Sequence, residues 1–266
     1  MLDVEFAQCS HPGRVREHNE DYLGSVVPAT PDEARRHGWL FVLADGVGGQ
    51  DRGEVASRVA VESIAAGFRG APPGEPLPGL LTQLIQAANA QVLDAGLAAA
   101  PGGVNMATTV VACALRFDRA VWCHAGDSRC YLIRRGHVSV LTRDHTVANE
   151  QLRLGILSTR EASAADTRHL LTRSLGNSLF VQVETGGCQV LPGDVFVLCS
   201  DGLHNAVDVK DLGRILARNC NLEVAVRDLA ALANANDGSD NISIQAIRVR
   251  GVERVGMYRG RPYKLR

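Results

Sequence analysis

Three apolar runs in this sequence each lead into an aspartate, which restricts how the chain can fold. The run "FVLADGVGGQ", residues 41–50, reaches Asp45 and then continues almost without side chains. The run "VFVLCSDGL" reaches Asp201, and "AVWCHAGDSR" reaches Asp127. An apolar run that leads into a turn containing Asp and Gly is typical of a strand that leaves the core. Because each of the three runs ends at an acid, we expect the three acids to lie close together in the folded protein.

Size and composition favour an ordinary globular protein. With 266 residues, the chain can form one sizeable core or at most two small ones. Its 45% hydrophobic and 21% charged residues are typical neither of disorder nor of fibres. A formal net charge of -1 gives no reason to expect nucleic acid or an anionic membrane as a partner. No apolar run approaches the roughly 18 residues that span a bilayer, and the start "MLDVEFAQCS" does not resemble a signal peptide.

The cysteines indicate a reduced protein. There are seven, an odd number, and none forms a Cys-x-x-Cys pair. Most of them lie inside apolar runs, where a thiol behaves as a small hydrophobic group. A cytoplasmic location is therefore expected.

Strand and helix signals occur in groups and do not alternate strictly. Strands are predicted in "DVEFAQ", "ATTVVACALRF" and "NISIQAIRVR", and "RCYLIRRGHVSVLT" predicts a hairpin that turns at Arg135-Gly136. Apolar residues at helical spacing predict helices in "EVASRVAVESIAAGF", "GLLTQLIQAANAQVLDAGLAAA" and "LEVAVRDLAALANA". This grouping predicts an α+β layered fold with largely antiparallel sheets.

Three segments are predicted to be irregular. "GAPPGEPLPG", between the first two helices, is expected to be a surface loop because prolines and glycines prevent regular structure there. The polar, weakly periodic segment at about 143–175 is expected to be a loosely packed insertion. The basic segment 251–266 is expected to be a frayed tail, which leaves residues 1–250 as a single domain.

The acids have the chemistry of a divalent metal site. Magnesium and manganese take oxygen ligands and keep several waters, so a few aspartates can hold a pair of ions. Two ions about 4 Å apart can share one hydroxide and clamp a phosphoryl group. The candidates are Asp45, Asp201 and Asp240, the last in "GSDNIS". Gly46 follows the first of them, where the missing Cβ would let a backbone carbonyl approach an ion.

Further acids and a basic residue lie near the N-terminus. Glu20 and Asp21 occur in "GRVREHNEDYLG", and Arg16 in the same segment offers a planar fork that fits phosphate. Each of these features alone is weak evidence for a metal or phosphate site. Asp-Gly after a strand is usually only a turn, and a lone arginine is usually a solvated surface charge.

Taken together, the ordered motifs resemble the metal-dependent protein phosphatases of the protein phosphatase 2C type, particularly their bacterial branch. These motifs are "GRVREHNED", "ADGVGG", "MATTVV", "AGDSRCYL", "LTRDHT", "LTRSLG", "VLCSDGL" and "SDNISI". The resemblance covers residues 9–249. It implies a central antiparallel β-sandwich with helices packed on both outer faces, a four-layer αββα arrangement. The 143–175 insertion would be the flap beside the active site.

The resemblance also implies roles for individual residues. Asp45 would bridge two catalytic cations, manganese or magnesium, and Gly46 would give one of them its carbonyl. Asp201 and Asp240 would complete the shell of the other cation, and Asp127 would bind a weaker third ion. The remaining roles would be phosphate binding by Arg16 and the holding of metal-bound waters by Glu20 and Asp21.

The implied reaction is hydrolysis of phosphoserine or phosphothreonine in proteins by a metal-bridging hydroxide, without a covalent phosphoenzyme. The sequence departs from the family at two positions. Val47 stands where some members carry a histidine proposed as general acid, so we take a metal-bound water as the hypothetical proton donor. Ala107 in "MATT" replaces a usual glycine, which we expect to be harmless unless its φ is positive.

Two alternatives remain open at this point. "CHAGDSR" satisfies the Cys-x5-Arg pattern of cysteine-based phosphatases through Cys123 and Arg129, although Asp127 would place a carboxylate inside the phosphate cradle. The other alternative is a catalytically inactive sensor that binds phosphoproteins or a kinase. Partners expected from the family are phosphorylated proteins, among them a serine/threonine kinase and its substrates. A monomer is expected, and the sequence identifies neither the substrate nor the metal used in the cell.

Overall fold

Two five-stranded sheets form the centre of the protein. The computed structural model describes residues 2–47, 52–218, 220–252, 255–258 and 261–264. In chain order the strands are β1 (Asp3–His11), β2 (Asp21–Val26), β3 (Trp39–Asp45), β4 (Val110–Arg116), β5 (Arg119–Ala125), β6 (Arg129–Arg134), β7 (His137–Val140), β8 (Glu184–Gln189), β9 (Val195–Cys199), β10 (Ile242–Gly251), β11 (Val255–Tyr258) and β12 (Arg261–Lys264). The helices are α1 (Pro31–Arg36), α2 (Gly53–Gly70), α3 (Leu77–Ala98), α4 (Val147–Arg153), α5 (Thr159–Ala164), α6 (Asp201–His204), α7 (Val209–Arg218) and α8 (Leu222–Asn236), with one 3₁₀ turn at Asp166–His169.

The strand order confirms the predicted antiparallel architecture. One sheet has the order β1-β10-β9-β6-β7, and the other has the order β2-β3-β4-β5-β8. Every strand pair within both sheets is antiparallel. Helices α2 and α3 pack on the outer face of the second sheet, and α7 and α8 pack on the outer face of the first. The result is the expected four-layer arrangement of helices, sheet, sheet and helices.

Strand β3 shows why its sequence is apolar without alternation. Leu40 and Val42 face the helices α2 and α3, whereas Phe41 and Leu43 face the opposite sheet. All four side chains have 0% exposure. A strand covered on both faces has to be apolar at successive positions, and at about 25 cal/mol per Å² each such side chain stabilises the fold by roughly 1.5–3 kcal/mol.

The long helices and the predicted turns are confirmed. Helices α2, α3 and α8 occupy the three segments with helical spacing. The loop between α2 and α3 is shorter than predicted, because α3 already begins at Leu77 and only six residues connect the two helices. Arg135 and Gly136 both have positive φ, as the tight turn between β6 and β7 requires. Ala107 is not among the described residues with positive φ, so its methyl group is accommodated as expected.

Some elements were not predicted. The 143–175 segment contains α4, α5 and the 3₁₀ turn, and a β-bridge between Thr146 and Leu171 closes its base. Helices α1 and α7 lie in segments for which no helix was proposed. The tail is not simply frayed, because β11 and β12 pair as an antiparallel hairpin. Within the described residues, no helix combines the length and apolar character needed to cross a membrane.

Candidate active site and metal centre

The acids singled out in the sequence converge on one cleft at the end of the sandwich. The cleft has a volume of about 430 Å³. Seven of the eight predicted site residues line it, namely Arg16, Glu20, Asp45, Gly46, Asp127, Asp201 and Asp240. The eighth, Asp21, lies opposite Asp45 in the β2–β3 pair. Residues far apart along the chain meet because their strands end at the same edge.

Asp45 ends β3, and its main chain is held by two threonines. Its carbonyl accepts hydrogen bonds from Thr108 Oγ1 (2.7 Å) and from Thr109 N (2.8 Å). The Asp45 N–H donates to Thr109 Oγ1 at 3.1 Å. Burial raises the pKa of the Asp45 carboxyl well above its ordinary range, and the negative charges of Asp21 and Asp201 raise it further.

Asp21 is the cross-strand neighbour of Asp45 and is buried inside the sandwich. Ser200 Oγ donates to Asp21 Oδ2 at 2.9 Å. The other oxygen, Oδ1, is buried and has no hydrogen-bond partner among the described residues. Burial raises the pKa of Asp21 to about 6, although serine hydroxyls act in the opposite direction. Among the residues that the structure describes, none pairs this carboxylate with a positive charge.

Asp201 and Asp240 come from the other sheet. Asp201 is the first residue of α6, directly after β9, and Asp240 lies in the loop before β10. Burial raises the pKa of Asp201 well above its ordinary range, and the charges of Asp127 and Asp240 act in the same direction. Asp240 accepts a hydrogen bond from Asn241 N through Oδ1 (2.8 Å), and Arg16 Nη2 donates to its Oδ2 at 2.9 Å. Arg16 is therefore engaged with an acid of the cleft, while its side chain remains 43% exposed.

Asp127 occupies the turn between β5 and β6 and is 8% exposed. Its carbonyl accepts a hydrogen bond from His204 Nε2 at 3.0 Å. Burial raises the pKa of the Asp127 carboxyl to about 7; the Asp144 charge adds to this effect and the Arg129 charge opposes it. Asp127 is thus a further acid of the cleft that forms no ion pair within the described part of the chain.

Gly46 is required by close packing of the backbone. A Cβ at this position would lie 2.5 Å from Gly53 O and 2.8 Å from Glu20 O. Gly46 N donates to Glu20 O at 3.1 Å, and Ser57 Oγ donates to the same carbonyl at 2.6 Å. Glu20 N in turn donates to Asn241 Oδ1 at 2.8 Å. The start of β2, the end of β3 and the loop before β10 are thereby joined.

The donor set fits hard divalent cations. Several carboxyl groups with raised pKa face one cleft, and Arg16 is the only arginine or lysine among its described lining residues. Like charges in a buried site repel strongly, and a cation at the centre would relieve that repulsion. Magnesium and manganese prefer such oxygen ligands.

A second group of potential ligands lies outside the cleft and has a different character. His124, His145 and Glu184 place one ligand atom each within 4.8 Å of one another. The two rings are stacked, with centroids 4.5 Å apart and planes inclined by 6°. A ring nitrogen binds a metal through a lone pair in the ring plane, so two stacked rings point poorly at a common ion. We interpret this group as a hydrogen-bonded network.

The cysteine-based alternative does not fit the structure. Cys123 is buried on the face of β5 that packs against the α2 and α3 layer, away from the acids. Burial raises the pKa of its thiol to about 11, so it is protonated at neutral pH and is a poor nucleophile. Arg129 is occupied by Asp144, to which Nε and Nη2 donate at 2.9 and 2.7 Å.

Sequence reasoning missed several residues of the site. His169 and Leu171 reach the cleft from the 143–175 segment, and Ser239 joins them beside Asp240. Nothing in that polar segment marked His169. Asn241, which fixes Glu20, was visible only as the third letter of "SDN".

A larger cavity adjoins the cleft on the side of the 143–175 segment. Its volume is about 690 Å³, and it shares Asp127, Asp201 and Asp240 with the cleft. Asn149 and Arg168 are among the residues that the 143–175 segment contributes to its wall. The acids therefore lie at one end of a longer groove.

Comparison with known proteins agrees with this site. The protein phosphatase 2C family matches residues 15–235. The serine/threonine phosphatase stp of Listeria welshimeri is 32% identical over 253 residues, covering 94% of this chain and 95% of the relative. Protein phosphatase PhpP of Streptococcus pneumoniae is 29% identical over 92% of this chain and 97% of its own length.

Solved structures show the same architecture. The serine/threonine phosphatase of S. agalactiae superposes with a TM-score of 0.84 at 28% identity, covering 93% of this chain and all 100% of the other. The catalytic domain of the serine/threonine protein phosphatase PstP, solved in complex with two manganese ions, superposes with a TM-score of 0.78 at 29% identity, covering 94% and 100% of the two chains. The chain described here belongs to the protein phosphatase 2C family. It is a serine/threonine protein phosphatase, a hydrolase of phosphate monoesters.

Proposed function

We propose that this phosphatase removes phosphate from phosphoserine and phosphothreonine in proteins with the help of two divalent cations, manganese or magnesium, held in the acidic cleft. The observation that carries the proposal is the convergence of Asp45, Asp201 and Asp240 from both sheets on one cleft. The two manganese ions in the related PstP structure support a two-cation site here.

Individual acids are assigned different tasks in this proposal. Asp45, with its main chain fixed by the two threonines, would contact both cations, and the Gly46 carbonyl would contact one. Asp201 and Asp240 would hold the other, and Asp127 would hold a weaker third ion. When bound, the cations supply an activated water nucleophile and neutralise charge on the phosphate, so no covalent phosphoenzyme is needed.

Glu20 and Asp21 would act behind these ligands. Burial raises the pKa of both carboxyl groups, and a nearby positive charge would favour their ionised, hydrogen-bond-accepting form. We therefore assign them the task of orienting water around the cations.

Arg16 is proposed to bind the substrate phosphate. Its guanidinium is half-exposed and uses Nη2 for Asp240, which leaves other N–H groups of the fork for phosphate oxygens. The peptide on either side of the phosphorylated residue would lie in the adjoining 690 Å³ cavity. In this arrangement the 143–175 segment forms one wall of the substrate groove.

A partner serine/threonine kinase, a monomeric state and a cytoplasmic location complete the proposal. All seven cysteines are free, which suits a reducing compartment. We further propose that residues 1–250 act as one phosphatase domain and that 251–266 form an accessory tail.

The deciding experiment measures phosphate release from a phosphothreonine peptide with manganese and with a chelator. Wild-type protein should be active only with manganese, and Asp201→Asn should lose at least about 100-fold in kcat. The Cys123→Ser variant should keep its activity. If purified wild-type protein with manganese released no phosphate, the chain would be an inactive phosphoprotein-binding sensor. Activity that survives the chelator and disappears in Cys123→Ser would establish the cysteine mechanism.

A further inference from the structure

Two adjacent residues of the motif "LTRDHT" hold both ends of the turn that carries Asp127. Asp144 accepts two hydrogen bonds from the Arg129 guanidinium, at 2.9 and 2.7 Å. His145 N donates to Gly126 O at 3.0 Å, and Gly126 N donates to His145 Nδ1 at 3.2 Å. Asp127 lies between these two anchored positions. The motif therefore fixes both ends of the turn that carries Asp127 from outside the acidic cleft.

The hydrogen bonds of the His145 ring select one protonation state. Because Gly126 N is a donor, Nδ1 has to carry the lone pair. The proton then lies on Nε2, which donates to Glu184 Oε2 at 3.1 Å. The other tautomer would set two N–H groups against each other at Gly126 and leave the Glu184 oxygen facing a lone pair. Arg173 Nη1, which is also a donor, lies 3.1 Å from the same nitrogen and is the one contact that opposes this tautomer; its acceptor is then the Gln182 carbonyl at 3.5 Å.

The surroundings keep the ring neutral. His145 is 0% exposed, and burial lowers its pKa to about 4, with the charges of His124 and Arg173 acting in the same direction. A neutral imidazole offers an acceptor at Nδ1 and a donor at Nε2 simultaneously, which a cationic ring does not. Both contacts are therefore available at neutral pH.

His145 also lies where the 143–175 segment leaves and rejoins the sandwich. Its carbonyl accepts a hydrogen bond from Thr172 N at 2.8 Å. The next residue, Thr146, forms a β-bridge with Leu171. Gly126 itself has a φ of +113° and packs against Thr109, which also holds Asp45. The turn that carries Asp127, the base of the 143–175 segment and Asp45 are thus connected by direct contacts.

We propose that His145 is a positioning residue for the phosphatase reaction: through the Gly126 main chain, its Nδ1 lone pair aims Asp127 into the cleft. The inference rests on the proposed function, in which Asp127 holds the weaker third cation. The acceptor at Nδ1 performs this task, and the Nε2 contact with Glu184 only orients the ring. Hydrogen-bond partners behind metal ligands commonly change metal affinity by about 10- to 100-fold when they are removed.

Two substitutions separate the two ring nitrogens. Asn places its Oδ1 where His has Nδ1, so His145→Asn keeps an acceptor for Gly126 and loses the contact with Glu184. Gln places its amide where His has Nε2, so His145→Gln keeps the contact with Glu184 and loses the acceptor. Both variants have a similar polarity and remove the same aromatic ring, which makes them matched controls.

Manganese binding is measured directly, by titration with detection of free Mn²⁺ by electron paramagnetic resonance. Asp127→Asn defines the signal of the missing weaker site. We expect His145→Gln to weaken that site by about 10- to 100-fold, and His145→Asn to remain within a few-fold of wild type. The ¹⁵N spectrum of the wild-type imidazole, recorded in chelator, should show protonation at Nε2 and not at Nδ1.

The possible failures are distinguishable. Equal weakening in the Asn and Gln variants, or no weakening in either while Asp127→Asn loses the site, would overturn the positioning role. A ring protonated at Nδ1 would overturn it as well, even if a variant failed to fold. If Asp127→Asn left manganese binding unchanged, the inference would fall because Asp127 would hold no ion. The proposed function would stand or fall separately, on manganese-dependent activity and its loss in Asp201→Asn.

Discussion

Without divalent cations, the Asp127 carboxyl should stabilise this protein increasingly as the pH falls from 8 to 5, because burial raises its pKa from an ordinary 3.8 to about 7 in the folded chain. The buried histidines His145 and His204, whose pKa burial lowers to about 4, act in the opposite direction, so the effect is read from the difference between wild type and Asp127→Asn. Over this range the Asp127 carboxyl binds more protons in the folded state than in the unfolded state, so its contribution to stability increases as protons are added. For this one group the increase is about 2–3 kcal/mol between pH 8 and pH 5. Asp21, with a pKa raised to about 6, acts in the same direction.

Thermal unfolding in chelator at constant ionic strength measures this effect. At about 2–4 °C per kcal/mol for a chain of this size, the Asp127 contribution corresponds to about 5–10 °C in Tm. Asp127→Asn should be the more stable protein at pH 8, and its Tm should fall relative to that of wild type by this amount as the pH is lowered to 5. With saturating manganese the trend should reverse, because protons then compete with cations for the same oxygens. Equal pH slopes for wild type and Asp127→Asn in chelator would refute the reasoning.

Three further predictions concern packing and proton transfer. Gly126→Ala should lower the urea midpoint more than Gly136→Ala, because both glycines have positive φ but only Gly126 is crowded. A Cβ at Gly126 would lie 2.6 Å from Thr109 Cβ, whereas one at Gly136 would meet open space. Equal losses in the two variants would show that the positive φ alone causes the destabilisation. Phe196→Ala, in the core between the sheets, should destabilise by about 3–5 kcal/mol with an unchanged m value. His169→Gln should leave the acidic limb of the kcat/KM profile in place, since the preceding arginine donates to its Nε2 at 2.8 Å; a lost limb would identify His169 as the proton donor.

The sequence predicted the structure best where a strand's apolar pattern follows directly from its place in the fold. The run that became β3 is apolar on both faces because helices cover one side and a sheet covers the other. Its aspartate stands at the strand end because the next residues leave the core. The same logic applies to β9 with Asp201 and to β5 with Asp127. The motif order and the family resemblance turned these separate strand ends into one predicted site.

Pairings over long sequence distances were not predictable in this way. The contact of Arg16 with Asp240 joins residues that are 224 positions apart. Asp21 was recognised as an acid, but its place opposite Asp45 follows from the register of β2 and β3. Helix α7 was missed although its ten residues are strongly amphipathic and Leu212 and Leu216 lie one turn apart on the buried side. The polar 143–175 segment hid its helices because few of its side chains enter a core.

The hydrogen bonds around the acids explain how the fold tolerates such a site. Asp45 is held through its N–H and carbonyl by Thr108 and Thr109, and Asp127 is held through its carbonyl by His204 and through the preceding glycine by His145. Fixing these acids by their main chains places the carboxylates without neutralising them. A site built on ion pairs would be more stable in the absence of cations, but its carboxylates would already be satisfied. The raised pKa values of the Asp45 and Asp127 carboxyl groups are therefore the energetic consequence of burying acids without neutralising them, which is what the proposed cation site requires.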